Sequence, residues 1–319
     1  MLVRFWGTRG SLPAPMTARA TRTKIQAALR KSVGHDLSSD EKVDTFIDTE
    51  LDFATSGTYG GNSSCVEIEG DGSEYVVCDA GSGAREFGNA VMARYSPDKP
   101  ATIHIFQSHP HWDHICGFPF FVPGYVPGNR VVIHGCHDTL EQAYRFQNSA
   151  PGFPVDFDML GADIEFEKME PGSEVSVAGM TVTAFKQYHS GDSYGYRFEK
   201  DGKSVVYSTD GEHKFEFIDE DYAYVDFIRG ADLLIFDAMY SLADSISIKE
   251  DWGHSSNIVG VELAQRGGVK QLALYHHDPN SDDAAISKVL AETIRFEELS
   301  QEGATVAVCA AYDGQEIKL

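Results

Sequence analysis

The sequence is short of positive charge, of paired cysteines and of long apolar runs, and each shortage removes a class of protein. Lys and Arg number 26 against 49 Asp and Glu, a formal net charge of −23. Broad nucleic-acid or anionic-membrane binding needs a basic footprint, which this balance denies the chain as a whole. A local metal-rich or basic pocket could still take a phosphate. No run approaches the ~20 apolar residues that a membrane helix needs. The opening Met1-Leu2-Val3-Arg4-Phe5-Trp6 meets Gly7 and Arg9 too soon to read as a signal peptide. Five cysteines (Cys65, Cys78, Cys116, Cys136, Cys309) are scattered and odd in number. They suit free thiols in a reducing compartment better than a disulfide framework or a Cys-type zinc site, so a cytoplasmic protein is expected. Repeats, low-complexity tracts and Pro-, Gly- or Ser-rich linkers are also missing.

What is present is a 42% apolar share over 319 residues, enough for a sizeable core. Apolar runs of strand character recur at Leu2–Trp6, Ser64–Ile68, Tyr75–Asp79, Thr102–Ser108, Val131–His134, Val182–Gln187, Ser204–Thr209, Asp232–Asp237, Gln271–Tyr275 and Thr305–Cys309. Ser255-Ser256 can cap a helix ended by Gly267-Gly268, and Ser281-Asp282-Asp283 a longer one carrying Ile286, Val289, Leu290 and Ile294. That mixture suits an α/β domain of two packed sheets with helices outside. One domain over residues 1–319 is expected. The polar stretch 14–56, with a helix over Lys24–Lys31, reads as an insertion after the first strand, a lid, a dimer contact or a plain surface excursion.

The densest chemistry is Ser108-His109-Pro110-His111-Trp112-Asp113-His114. Four potential ligands lie just past a strand end, where a loop can turn several side chains inward. Imidazole with carboxylate suits zinc, manganese or iron. Three more candidates follow strands in the same way: His189, Asp210 and His276. One sheet edge would collect them all. His104 lies within a strand and reads as structural. His35, His134, His137 and His213 read as surface or structural too.

In this order the residues resemble the metallo-β-lactamase superfamily, and within it the branch holding ribonuclease Z and related cyclic phosphodiesterases. Gly7-Thr8-Arg9-Gly10-Ser11, Gly60-Gly61-Asn62-Ser63-Ser64 and Asp79-Ala80-Gly81-Ser82-Gly83 extend the likeness over nearly the whole chain. The resemblance implies an αββα four-layer sandwich and two divalent metal ions, Zn2+ or Mn2+ with iron a further candidate. It implies that His109, His111 and His189 hold one ion, that Asp113, His114 and His276 hold the other, and that Asp210 bridges them. His277 competes with His276, but position after the strand favours His276. A metal-activated hydroxide would then attack, with Asp113 orienting or deprotonating the water. Trp252-Gly253-His254-Ser255 matches a segment that supplies a histidine outside the metal shell, which makes His254 the expected general acid and Asp237 its support.

Asn62 and Arg197 are candidate substrate contacts. Phe118, Phe120, Phe121 and Trp112 read as packing beneath the metal loop, with a base-stacking wall as the alternative. Ribonuclease Z enzymes carry a tRNA-gripping arm between the third and fourth ligand motifs. Only 20 residues lie between His189 and Asp210 here, so tRNA is not an expected substrate. The expectation is a small, cyclic nucleotide-like phosphodiester as substrate, no membrane partner, and a homodimer as an option. Two alternatives stand beside it: an acyl hydrolase acting on a lactone or thioester, and a non-catalytic metal-binding sensor.

Overall fold

The computed structural model describes residues 1–70, 72, 74–94, 100–214, 219, 221–240, 251–301 and 305–319. The first sheet comprises β1 (Leu2–Gly7), β2 (Cys65–Ile68), β3 (Glu74–Cys78), β4 (Thr102–Phe106), β5 (Arg130–Gly135), β6 (Asp163–Lys168) and β14 (Glu316–Lys318), in the order β14-β1-β2-β3-β4-β5-β6. The second comprises β7 (Glu174–Val177), β8 (Met180–Gln187), β9 (Ser193–Lys200), β10 (Lys203–Ser208), β11 (Leu233–Asp237), β12 (Gln271–Tyr275) and β13 (Ala307–Ala310), in the order β13-β12-β11-β10-β9-β8-β7. Strands β3 to β6 run parallel to one another, as do β10 to β13, and antiparallel pairs make up the rest of both sheets.

Alternation along the strands builds the layers, because successive side chains leave a strand on opposite faces. Val205 and Tyr207 of β10, Leu233 and Ile235 of β11, and Ala273 and Tyr275 of β12 point between the sheets, where they meet Val3, Phe5, Val66 and Phe106. Their neighbours Val206, Leu234, Phe236, Leu272 and Leu274 point outward. That outer face is covered by α7 (Ala223–Ile228), α8 (Asn257–Gly267) and α9 (Asp283–Ser300). Across the molecule, Ile103, Ile105, Val131 and Ile133 face α4 (Ala84–Ala93), α6 (Leu140–Gln147) and the aromatic turn at Phe118–Tyr125. The result is a four-layer αββα sandwich in which both sheets share one core.

The caps fall where the sequence places them. Ser256 Oγ accepts from Val259 N at 3.3 Å to start α8, and Gly268, in the left-handed region at φ 63°, ends it. Asp282 Oδ1 accepts from Ala285 N at 2.9 Å to start α9. The 14–56 stretch holds α1 (Ala18–Lys31), α2 (Asp40–Glu50) and α3 (Phe53–Ser56), more helix than the expected 24–31. α1 begins earlier because Thr17 Oγ1 accepts from Ala20 N at 3.2 Å. Among the described residues no helix is long and apolar enough to cross a membrane.

Asp283, the first residue of α9, pins the insertion to the sandwich. It is buried, accepts from Tyr59 N at 2.8 Å and from Thr58 Oγ1 at 3.2 Å, and pairs with Lys24 of α1. Removing a buried carboxylate with several partners leaves those partners unsatisfied. Asp283→Ala is expected to cost about 3 kcal/mol in urea unfolding, whereas Asp282→Ala, which loses only a helix cap, should cost about 1 kcal/mol.

Candidate active site

The site forms where strand ends of both sheets meet. His109 and His111 follow β4, and Asp113 and His114 lie in the one-turn helix α5 (Trp112–Ile115). His189 follows β8, Asp210 follows β10, Asp237 ends β11 and His276 follows β12. Two of these turn-outs use left-handed backbone on non-glycine residues, with φ 46° at Asp210 and φ 59° at His276. Such a conformation costs on the order of 1–3 kcal/mol and persists only where its surroundings over-determine it.

The structure brings all seven expected ligands together. His109, His111 and His189 present ligand atoms within 4.8 Å of one another, and Asp113, His114 and His276 do the same. Asp210 stands between the sets. Its Oδ1 lies 3.2 Å from His114 Nε2 and 3.1 Å from His276 Nε2. Its Oδ2 lies 3.6 Å from His109 Nε2 and 3.7 Å from His189 Nε2. Each carboxylate oxygen therefore faces a different set. Most of these side chains are buried, and His111 is the one open to solvent.

Three imidazoles are locked with Nε2 toward the cluster. His114 Nδ1 donates to Asp79 at 2.7 Å, His109 Nδ1 to Ser108 Oγ at 3.0 Å, and His189 Nδ1 to the Gly253 carbonyl at 2.8 Å. The ring orientation of metal-ligating histidines is commonly fixed through the distal nitrogen in this way. The buried Nε2 of His109 finds no hydrogen-bond partner among the described residues, and those of His114 and His276 face only the carboxylates of Asp113 and Asp210, at 3.1 to 3.4 Å and out of hydrogen-bond alignment, an expensive arrangement unless a cation takes the lone pairs. The electrostatics agree. Burial and neighbouring imidazoles hold His109 well below the usual imidazole value, and burial with His189 lowers His111, so both are neutral and able to ligate. Burial opposes a proton on His114, yet Asp210, Asp113 and Asp79 push its pKa well up, the mark of a cluster whose negative charge calls for a cation. The donor set fits divalent ions, and the site is a binuclear metal-dependent hydrolase centre.

Beside it, His254 Nδ1 donates to Asp237 Oδ2 at 2.8 Å. Burial would lower the His254 pKa, but Asp237 outweighs it, with help from Asp210 and Asp113, and the value rises to about 9. With Nδ1 committed, Nε2 is the nitrogen left for a substrate. His254 and Asp237 also converge with Asp210 and His276 closely enough to hold a cation.

Other expectations fare differently. His277 turns away: its Nε2 donates to the Ala311 carbonyl at 2.8 Å, so His276 alone of that pair joins the cluster. Arg197 does not reach the site. Its guanidinium is held by Glu199 at 3.0 Å and by the carbonyls of Phe227 and Arg229, because alternation along β9 sends it to the helix side of the second sheet. The side chain of Asn62 accepts from Ser82 Oγ at 3.2 Å and lines a cleft of about 510 Å³ with Arg85, Cys116 and Phe120. The aromatic run splits. Phe118 and Phe121 are core, but Trp112 and Phe120 are 68% and 57% exposed, contrary to packing beneath the loop. His104 is bonded to His134 at 3.0 Å.

Sequence reasoning assigned no role to Asp79, Ser108, Tyr207 or Glu212. Asp79 accepts from Ser108 N, Ser108 Oγ, His114 Nδ1 and Tyr207 OH, each at 2.7 Å, and from Gln107 Nε2 at 2.8 Å. Glu212 accepts from Asp251 N at 3.1 Å and Gly253 N at 2.9 Å, which fixes the loop before His254. Asp79 follows a strand end, as the ligands do, and that signal could have found it. Gly253, at φ 82°, lies so near His189 that a Cβ would overlap its ring.

A family model described as a beta-lactamase superfamily domain matches residues 74–277, and the chain belongs to that superfamily. The chain is 25% identical to a ribonuclease Z of Sulfolobus acidocaldarius over 254 residues, covering 63% of this chain and 77% of the relative. Among solved structures, the Zn2+-bound PqqB of Methylobacterium extorquens is similar with a TM-score of 0.64 at 15% identity, covering all of both chains (100% and 100%). A diphosphatase of the PhnP family follows with a TM-score of 0.61 at 20% identity, covering 100% of this chain and 97% of its own. These structural likenesses speak to the fold.

Asp79→Asn replaces an all-acceptor carboxylate with an amide that cannot receive every one of these donors. Its divalent-metal affinity, read by competition with a chromophoric chelator, is expected to fall about 10- to 100-fold. Gly253→Ala should lower affinity as well, by displacing His189.

Proposed function

We propose that this chain is a phosphodiesterase that cleaves a small, cyclic nucleotide-like phosphodiester. The observation that carries the reading is the His254–Asp237 pair beside the cation cluster. A phosphodiester with an alkoxide leaving group needs a proton delivered as the P–O bond breaks, and a histidine with one nitrogen fixed and the other free can deliver it. Sequence kinship with a ribonuclease Z supports chemistry at phosphorus.

His109, His111 and His189 would hold one divalent ion, Asp113, His114 and His276 the other, and Asp210 would face both. Such ions supply Lewis acidity toward phosphoryl oxygens and lower the pKa of water. The chain's own groups do the rest. Asp113 Oδ2 accepts from Ser11 N at 2.8 Å, which holds the carboxylate in place to orient or deprotonate the attacking water. Asp237 keeps Nδ1 of His254 protonated and aligned, and Nε2 passes a proton to the leaving oxygen. Positioned proton transfer of this kind contributes about 100- to 10,000-fold.

The interval between His189 and Asp210 is occupied by β9, a turn at Asp201-Gly202 and β10. An RNA-gripping arm has no place there, which supports a small substrate. The exposed rings of Trp112 and Phe120 line a groove of about 780 Å³ with Phe146 and Phe153, a surface on which a nucleobase can stack. Zn2+ or Mn2+ is the proposed metal and the cytoplasm the proposed location. An acyl hydrolase is the competing reading, since acyl transfer with a good leaving group has less use for a separate proton donor.

Metal-loaded protein is expected to hydrolyse an aryl phosphodiester and at least one member of a cyclic mono- and dinucleotide panel. His254→Ala should lower kcat on the alkoxide-releasing substrate about 100- to 10,000-fold, with little loss when p-nitrophenolate leaves. Activity confined to lactones or thioesters would support the acyl reading instead. Trp112→Ala should raise KM for a nucleotide, and leave KM for a small alkyl ester unchanged.

A further inference from the structure

The 14–56 insertion carries an exposed apolar surface of its own, apart from the aromatic groove at Trp112 and Phe120. α1 buries none of its residues, yet Ile25 and Leu29, one turn apart, are 55% and 63% exposed, and Val33 just past its end is 81% exposed. On α2 only Phe46 is buried, and Ile47 beside it is exposed. An apolar groove of about 520 Å³ runs between the helices, lined by Ile25, Leu29, Leu37, Phe46, Ile47 and Leu51. A contiguous exposed apolar surface of this kind marks an interaction site.

The charges around the groove indicate what covers it. α1 carries Arg19, Arg22, Lys24, Arg30 and Lys31 and no acidic residue. α2 carries Asp40, Glu41, Asp44, Asp48 and Glu50 against the single Lys42. Lys24 and Lys31 are used within the chain, by Asp283 and Asp52. Among the described residues Arg19, Arg22 and Arg30 make no ion pair, and neither do Asp40, Glu41, Asp44 and Asp48. A basic and an acidic helix lining one groove form a surface that complements itself. A two-fold axis sets the basic α1 of one copy against the acidic α2 of the other, twice over, and brings the two apolar surfaces together. Pairing like helix with like would oppose charges of the same sign.

We infer that the insertion is a homodimer interface, its apolar groove covered by the α1 and α2 surface of a second copy of this chain. The inference is independent of the proposed reaction, since none of these residues belongs to the metal site or the His254–Asp237 pair.

The test reverses each helix in the full-length protein. One variant carries Arg19→Glu, Arg22→Glu and Arg30→Glu, and the other Glu41→Lys, Asp44→Lys and Asp48→Lys. In light scattering coupled to size exclusion, the wild type is expected at twice the chain mass. Either variant alone should run at the mass of one chain, and an equimolar mixture should return to twice, because only the mixed pair restores opposite charges on both contacts. A wild type that stays at one chain mass, or two reversed variants that both stay dimeric, would overturn the inference. Should a triple variant fail to fold, Leu29→Glu changes one exposed side chain and gives the same reading. A monomer supports the interface, and a dimer of unchanged affinity contradicts it.

Discussion

One buried carboxylate, that of Asp79, holds the active-site end of the molecule together. It leaves β3 of the first sheet at φ 60° and accepts from two groups of Ser108, from Gln107 and His114 in the metal-binding loop, and from Tyr207 of the second sheet. A carboxylate offers two oxygens that only accept, whereas the amide of asparagine turns one of them into a donor. Two further tyrosines cross the core in the same manner. Tyr196 OH donates to the Gln107 carbonyl and Tyr275 OH to the Gly7 carbonyl, both at 2.7 Å. Strand ends from opposite sheets are thereby held in register, and the ligands they carry stay converged.

That rigidity bears on chemistry because the cluster is expensive to assemble. It gathers Asp79, Asp113 and Asp210 among buried imidazoles and puts left-handed backbone at Asp79, Asp210 and His276. Buried charges of one sign are tolerated when a counter-charge is built in, and two cations between these side chains would supply it. The fold itself leaves the reaction open. What belongs to this chain is the equipment around the cluster: the His254–Asp237 pair, the exposed Trp112 and Phe120, the short β9–β10 hairpin and the helical insertion.

Much of this was legible in the sequence because the ligands sit at strand ends, and strand ends are marked by apolar alternation that stops at a polar residue. His109 to His114, His189, Asp210 and His276 could be read in that way, and so could the caps of α8 and α9. Elements with little apolar periodicity were missed. β6 alternates Asp, Glu and Lys with Ile164 and Phe166 on a half-exposed edge, β14 has three residues, and α2 has five acidic residues among its eleven. Arg197 shows the other limit. Its proximity to His189 in sequence suggested a substrate contact, but strand alternation directs it to the helix layer. Trp112 could not be separated from Phe118 by composition alone, since exposure depends on how the one-turn helix at Trp112–Ile115 faces solvent.

Asp210 stands between the two sets of histidines, each carboxylate oxygen facing a separate set, and would join two cations into one centre. Native mass spectrometry of the metal-free chain titrated with Zn2+ tests it most directly. A plateau at two ions per chain is expected for the wild type, with the second ion lost in Asp210→Ala. A wild-type plateau at one ion or none, or an Asp210→Ala chain that still fills both sites with unchanged affinity, would contradict it.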